Sequence, residues 1–135
     1  MSDRMAKHRE NAPRQLANLL KSYKGVAFVE GQRIFTEGEP AECMYVVRSG
    51  EVDVLFRGKL LETVTPPGIF GEMGLIDGAP RSADAVARTD CELVRVEEIE
   101  FLRMVERVPY LALNVMQLLV DRIKQMNERL GAAGL

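Results

Sequence analysis

Between Phe70 and Ala83 the chain reads Phe-Gly-Glu-Met-Gly-Leu-Ile-Asp-Gly-Ala-Pro-Arg-Ser-Ala, which sets Glu72 and Arg81 on either side of a short apolar turn. A short helix opening at Gly71 leaves its first backbone N–H groups unpaired, and glycine lets a ligand approach the main chain closely, so this end can receive an anion. Arg81 adds a planar, permanently charged fork whose parallel N–H donors match the free oxygens of a phosphodiester. Ser82 adds a hydroxyl donor. Glu72 is the oddity, because a carboxylate repels phosphate. It makes sense as the acceptor for a sugar hydroxyl beside the phosphate, and a 3′,5′-cyclic nucleotide offers that pairing of free 2′-hydroxyl and singly charged phosphate. The competing expectation is that Glu72 and Arg81 simply pair with each other on a surface loop.

The flanking sequence supplies the elements that would position these groups. Leu16, Ala17, Leu19 and Leu20 recur at helical spacing from Pro13 and predict a short docking helix ending near Ser22. Between Val26 and Val96 short runs rich in Val, Ile and Phe are separated by turn signals at Glu30-Gly31, Glu37-Gly38-Glu39-Pro40, Ser49-Gly50, Arg57-Gly58 and Pro66-Pro67-Gly68. Many short strands at this spacing predict a small barrel or jelly roll, with Glu72–Ile76 as its one helical interruption. A helix is expected over Glu97–Glu106, with Ile99, Leu102 and Met104 or Val105 facing the core, and Val108-Pro109 breaks it. Tyr110–Leu130 reads as one long helix. Its seam of Ala112, Met116, Leu119, Ile123, Met126 and Leu130 has coiled-coil spacing, while a second stripe of Leu111, Val115 and Leu118 covers only the first half. Asp121, Arg122, Lys124, Gln125, Glu128 and Arg129 are expected as solvated flanks.

Composition sets limits. The 135 residues fit one domain, 13–130, with the barrel at about 26–96, the C-terminal helices at about 97–130, a flexible tail at 1–12 and a short one at 131–135. A formal net charge of −2 argues against a general polyanion binder, and no apolar run is long enough to span a membrane. A charged N-terminus without a secretory apolar segment leads to an expected cytoplasmic location. Cys43 and Cys91 stand alone in apolar runs and are expected as buried free thiols. The single histidine, His8, leaves a barrel metalloenzyme without ligands and a nucleophile without a base, so neither metal site nor catalytic residue is expected. The chain is not expected to be an enzyme.

The stretch Gly71-Glu72-Met73-Gly74-Leu75 followed by Pro80-Arg81-Ser82-Ala83 closely resembles the phosphate-binding cassette of cyclic-nucleotide-binding domains of the catabolite activator and protein kinase A regulatory type. The likeness extends upstream through Gly31–Ala41 and Met44–Val52 and covers roughly residues 26 to 130. It implies a mainly β fold: a jelly-roll barrel with a short cassette helix, an N-terminal helix and two C-terminal helices. It also implies a sensor whose regulatory ligand is cyclic AMP or cyclic GMP. Glu72 would take the 2′-hydroxyl, Arg81 and Ser82 the cyclic phosphate, and the Gly71, Glu72, Met73 and Gly74 backbone the sugar and phosphate, with Ala83 closing the cassette. Val54, Leu61, Val64 and Phe70 would form the apolar wall near sugar and base, each of them equally an ordinary core position. Serine after the cassette arginine leans towards cyclic AMP. The long-helix positions that meet the base are Met126 and Asn127 here, which leaves base choice open. The implied partners are the nucleotide, a second copy through the long helix and an unidentified protein effector. Neither a membrane nor nucleic acid is expected as a partner, since too little chain follows the long helix for a recognition helix. Two alternatives stay open: the sensor part of a transcription regulator whose DNA-binding module lies outside this chain, and a degenerate domain that binds a protein without nucleotide.

Overall fold

A computed structural model describes residues 12–132. In chain order the elements are α1 (Ala12–Leu19), β1 (Val26–Phe28), β2 (Arg33–Phe35), β3 (Cys43–Ser49), β4 (Val52–Phe56), β5 (Lys59–Val64), β6 (Ile69–Phe70), α2 (Glu72–Asp77), β7 (Asp84–Ala87), β8 (Cys91–Glu97), α3 (Glu98–Arg107) and α4 (Tyr110–Ala132). The strands form two four-stranded antiparallel sheets, ordered β1-β8-β3-β6 and β2-β7-β4-β5. This is the mainly β jelly roll that the sequence predicts, and the turn signals between Val26 and Val96 fall between strands, with Ser49 the last residue of β3. The expected tail at 1–12 and His8 lie outside the described residues except for Ala12, which begins α1. Gly131 and Ala132 belong to α4, and 133–135 are not described.

The period-2 geometry of a strand gives the central sheet two buried faces. Along β3, Cys43, Tyr45 and Val47 enter the barrel interior with Phe35, Val52, Val64, Phe70, Ala85, Ala87, Cys91 and Leu93. The alternate residues Met44 and Val46, with Ile69, Val94 and Val96, meet Leu16 and Leu20 of α1, Met104 of α3 and Leu111 and Val115 of α4. Both cysteines are buried free thiols, as expected. Burying side chains the size of Leu111 and Val115 stabilises by roughly 1.5–3 kcal/mol each, which fixes the first half of α4 against the β1-β8-β3-β6 sheet. At the same contact Asn114, 1% exposed, donates from Nδ2 to Gln15 Oε1 at 2.7 Å and ties α4 to α1.

The helical faces differ from expectation in two places. On α3, Ile99 and Leu102 are 52% and 51% exposed, while Phe101, Met104 and Val105 pack inward. Glu97 and Glu100 form a capping box at the start of α3, and the face that packs on the sheet carries Phe101, Met104 and Val105. On α4 the stripe Leu111, Val115 and Leu118 packs inward as predicted, but Leu119 joins it. The outward stripe is therefore Leu113, Met116, Val120, Ile123 and Met126.

Candidate ligand-binding site

The cassette helix α2 follows β6 directly, and Gly71 makes the corner with φ 77°. A side chain there would meet Arg81 Nη1 at 2.7 Å and the Phe35 ring at 3.4 Å, so glycine is demanded by the arginine packed behind it as well as by the backbone angle. At Gly74 an added Cβ would collide with the Cβ of Ala41, so the β2–β3 loop lies directly against α2. That loop also holds the arginine's main chain: Arg81 N donates to Glu39 O, and Gly38 N donates to Arg81 O, both at 2.8 Å.

Arg81 is 7% exposed. Its Nη1 donates to Gly71 O at 3.0 Å and its Nη2 to Cys43 O at 2.7 Å, with Cys43 Sγ at 3.7 Å. The guanidinium centre lies 4.1 Å from the centre of the Phe35 ring. Among the described residues no carboxylate pairs with this cation, and its Nε has no hydrogen-bond partner. Burial of an unpaired charge is costly, so the geometry favours an anion beside Arg81.

Glu72, the first residue of α2, is 3% exposed, and its position in the first turn of the helix favours its negative charge. Its cation is Arg122 of α4, whose Nη1 donates to Glu72 Oε1 and whose Nη2 donates to Ile69 O at 2.7 Å, with Glu62 Oε2 at 3.7 Å. The Glu72–Arg81 pair of the competing reading is not formed, and Arg122, expected as a solvated flank, is instead held at the cassette. Sequence reasoning missed it although a signal was present: Arg122 and Arg129 continue the helical phase of Leu111, Val115 and Leu118. The inward stripe turns basic where it leaves the apolar core, and Arg129 Nη1 reaches Leu61 O at 3.3 Å. Arg122 pairs with both Glu72 and Glu62, so Arg81 is left as the buried cation without a carboxylate among the described residues.

The other expected ligand residues divide by position. Ala83, Val64 and Phe70 are buried, the last two in the barrel interior, where Phe70 stacks on Tyr45 at 5.3 Å between ring centres. Val54 is half-buried against that interior, and Leu61, Met73 and Ser82 are exposed. Asn127 is exposed and lies about 140° around α4 from Arg122, at 100° per residue, so the helix turns it away from the cassette. Beneath the site, burial and the neighbouring Cys43 thiol push the Tyr45 phenol up to about 12. Among the described residues no group of three or more histidines, cysteines and acids could hold a metal ion, and no helix is long and apolar enough to cross a membrane.

Glu72 and Arg81 thus place two buried charges of opposite sign at the two ends of the cassette. The cyclic nucleotide-binding domain family model matches residues 26–108, and the chain belongs to that family. It is 34% identical over 120 residues to the cyclic AMP receptor protein of Thermus thermophilus, covering 84% of this chain and 55% of the relative. Over 75 residues it is 35% identical to the cAMP-dependent protein kinase regulatory subunit of Eremothecium gossypii, covering 56% of this chain and 16% of that one. The crystal structure of the Thermus thermophilus catabolite activator protein superimposes with a TM-score of 0.78 at 30% identity, over 90% of this chain and 60% of that one. The chain thus spans about half the length of the first of these relatives. These relatives are regulatory proteins, and the resemblance in the cassette is confirmed as family membership.

Proposed function

We propose that this chain is a cytoplasmic regulatory sensor, without catalytic activity, that binds a cyclic nucleotide at the Glu72–Arg81 cassette and prefers cyclic AMP to cyclic GMP. The observation that carries the reading is Arg81: a nearly buried guanidinium with no carboxylate partner and a free Nε among the described residues. An anion completes it. A cyclic phosphodiester carries one negative charge, which pairs with the one guanidinium of Arg81. Glu72, held by Arg122 at one oxygen, keeps acceptor capacity for a ribose 2′-hydroxyl. Ser82, exposed beside Arg81, is free to turn its hydroxyl to the phosphate. Val54, Val64 and Phe70 back the sugar from the barrel side, and Leu61 lies at the edge near the base. Names of relatives that mention cyclic AMP support the adenine preference, as does Ser82.

The output runs through α4, because Arg122 joins the ligand's own carboxylate partner to that helix. A ligand that draws Glu72 and the cassette inward changes the Arg122 contact and shifts the packing of α3 and α4. The outward stripe Leu113, Met116, Val120, Ile123 and Met126 then serves as a dimer seam with a second copy. In such a dimer Asn127 faces the seam and reaches a base only across it. A protein effector would read the altered helices.

The test is a titration of cyclic AMP, cyclic GMP and 2′-deoxy cyclic AMP against the wild type, Arg81→Ala and Glu72→Gln. Removing Arg81 costs on the order of 2–5 kcal/mol of affinity, or roughly thirty-fold to several-thousand-fold. Glu72→Gln weakens cyclic AMP far more than the 2′-deoxy analogue, because the analogue has no hydroxyl to lose. Wild-type affinity in folded Arg81→Ala, or no binding of either nucleotide by the wild type, overturns the reading in favour of a domain that binds protein alone.

A further inference from the structure

Arg81 is usable as an anion receptor only if its guanidinium is held with a donor edge free, and three neighbours decide which edge that is. Gly71 O takes Nη1 at 3.0 Å and Cys43 O takes Nη2 at 2.7 Å, which leaves Nε buried and without a partner among the described residues, a donor that an anion reaches by displacing what covers it. The third neighbour is Phe35, whose ring centre lies 4.1 Å from the guanidinium carbon. That ring is itself fixed, with Tyr45 and Phe70 at 6.2 and 5.9 Å between ring centres. It is 8% exposed, so the cation lies against a desolvated π face, where the attraction is strongest.

We propose that Phe35 is a positioning residue for anion recognition: its π face holds the Arg81 guanidinium so that the Nε edge, rather than the terminal fork, is offered to the anion. This rests on the cyclic-nucleotide reading above. Two carbonyls fix the terminal nitrogens, but each is a single hydrogen bond about which the plane can tilt. The ring fixes the plane. Without it the guanidinium spreads over several orientations, and apparent affinity falls by the fraction that remains competent.

The experiment separates this role from core packing. Replacing Phe35 with mono-, di- and trifluorinated phenylalanine drains the π face while nearly conserving volume, and Phe35→Leu removes the face altogether. Cyclic AMP affinity is expected to fall stepwise along the fluorine series, reaching roughly tenfold for Phe35→Leu, the range of a buried cation–π contact. On an Arg81→Ala background, where the cation is gone, thermal midpoints of the ligand-free proteins should stay level along the fluorine series and the series should have no effect on binding. The Nε–H resonance of Arg81 should move on adding cyclic AMP to the wild type. A flat fluorine series, or a fixed Nε–H resonance in a wild type that binds, overturns the positioning role while leaving the sensor function intact. A wild type that binds neither cyclic AMP nor cyclic GMP removes both.

Discussion

Arg122→Met is the perturbation that most directly tests the site's electrostatics without any ligand. The substitution keeps the apolar stem and removes the charge. Glu72, 3% exposed, then loses its cation, and Arg81 already has its terminal nitrogens on Gly71 O and Cys43 O. Breaking a buried pair from one side costs about 3–5 kcal/mol. The Arg122 side chain is 25% exposed, so water can enter the space it leaves and the lower end applies, about 3 kcal/mol. Ile69 O loses its donor as well, which adds about 1 kcal/mol. In a chain of this size the sum lowers the melting temperature by about 10 °C or more. Glu72→Gln alone should cost about 1 kcal/mol, because a partly exposed arginine left behind can be hydrated. The double variant Arg122→Met/Glu72→Gln should recover about 2 kcal/mol relative to Arg122→Met, since no buried charge is left unpaired. Urea unfolding at pH 7 measures all four proteins, with a constant slope confirming that midpoints report stability. Additivity of the two single changes within about 0.5 kcal/mol would refute the coupling, and with it the claim that α4 is wired to the cassette.

Two further outcomes are expected. Ile123→Glu with Met126→Glu puts four like charges at the seam of a dimer, so sedimentation should show a monomer with unchanged barrel circular dichroism, whereas a wild type monomeric at high micromolar concentration with and without nucleotide rules the seam out. The Tyr45 phenol has a folded-state pKa raised from 10.0 to about 12, so its contribution is complete below pH 10 and is lost as pH rises towards 12. A rise from 10.0 to about 12 corresponds to about 2.7 kcal/mol, which partial solvent screening lowers to about 2 kcal/mol; Tyr45→Phe should abolish that loss, and an identical alkaline unfolding profile in Tyr45→Phe would refute it.

Much of the site is legible in the linear pattern. The cassette is contiguous, so Gly71, Glu72, Gly74 and Arg81 could be singled out as ligand candidates from local chemistry, and the jelly roll followed from turn residues punctuating short apolar runs. The inward stripe of Leu111, Val115 and Leu118 was equally local, because the helical period is set by the backbone. Faces near element ends were less so. Ile99 was expected inside, but α3 packs through Phe101, Met104 and Val105 and leaves it outward.

What the residues alone decided is therefore the kind of chemistry and the architecture that carries it: a cation, a carboxylate and glycine corners on a barrel. Their pairing was decided by tertiary structure. Glu72 and Arg81 are neighbours in sequence and oppositely charged, yet the folded chain gives Glu72 to Arg122, far along α4, and seats Arg81 on Phe35 from β2 with its charge unmatched. The reason is physical: a partner for a buried charge is chosen by which elements the fold brings within a few ångströms, where desolvation makes each contact strong, and sequence separation does not enter that distance.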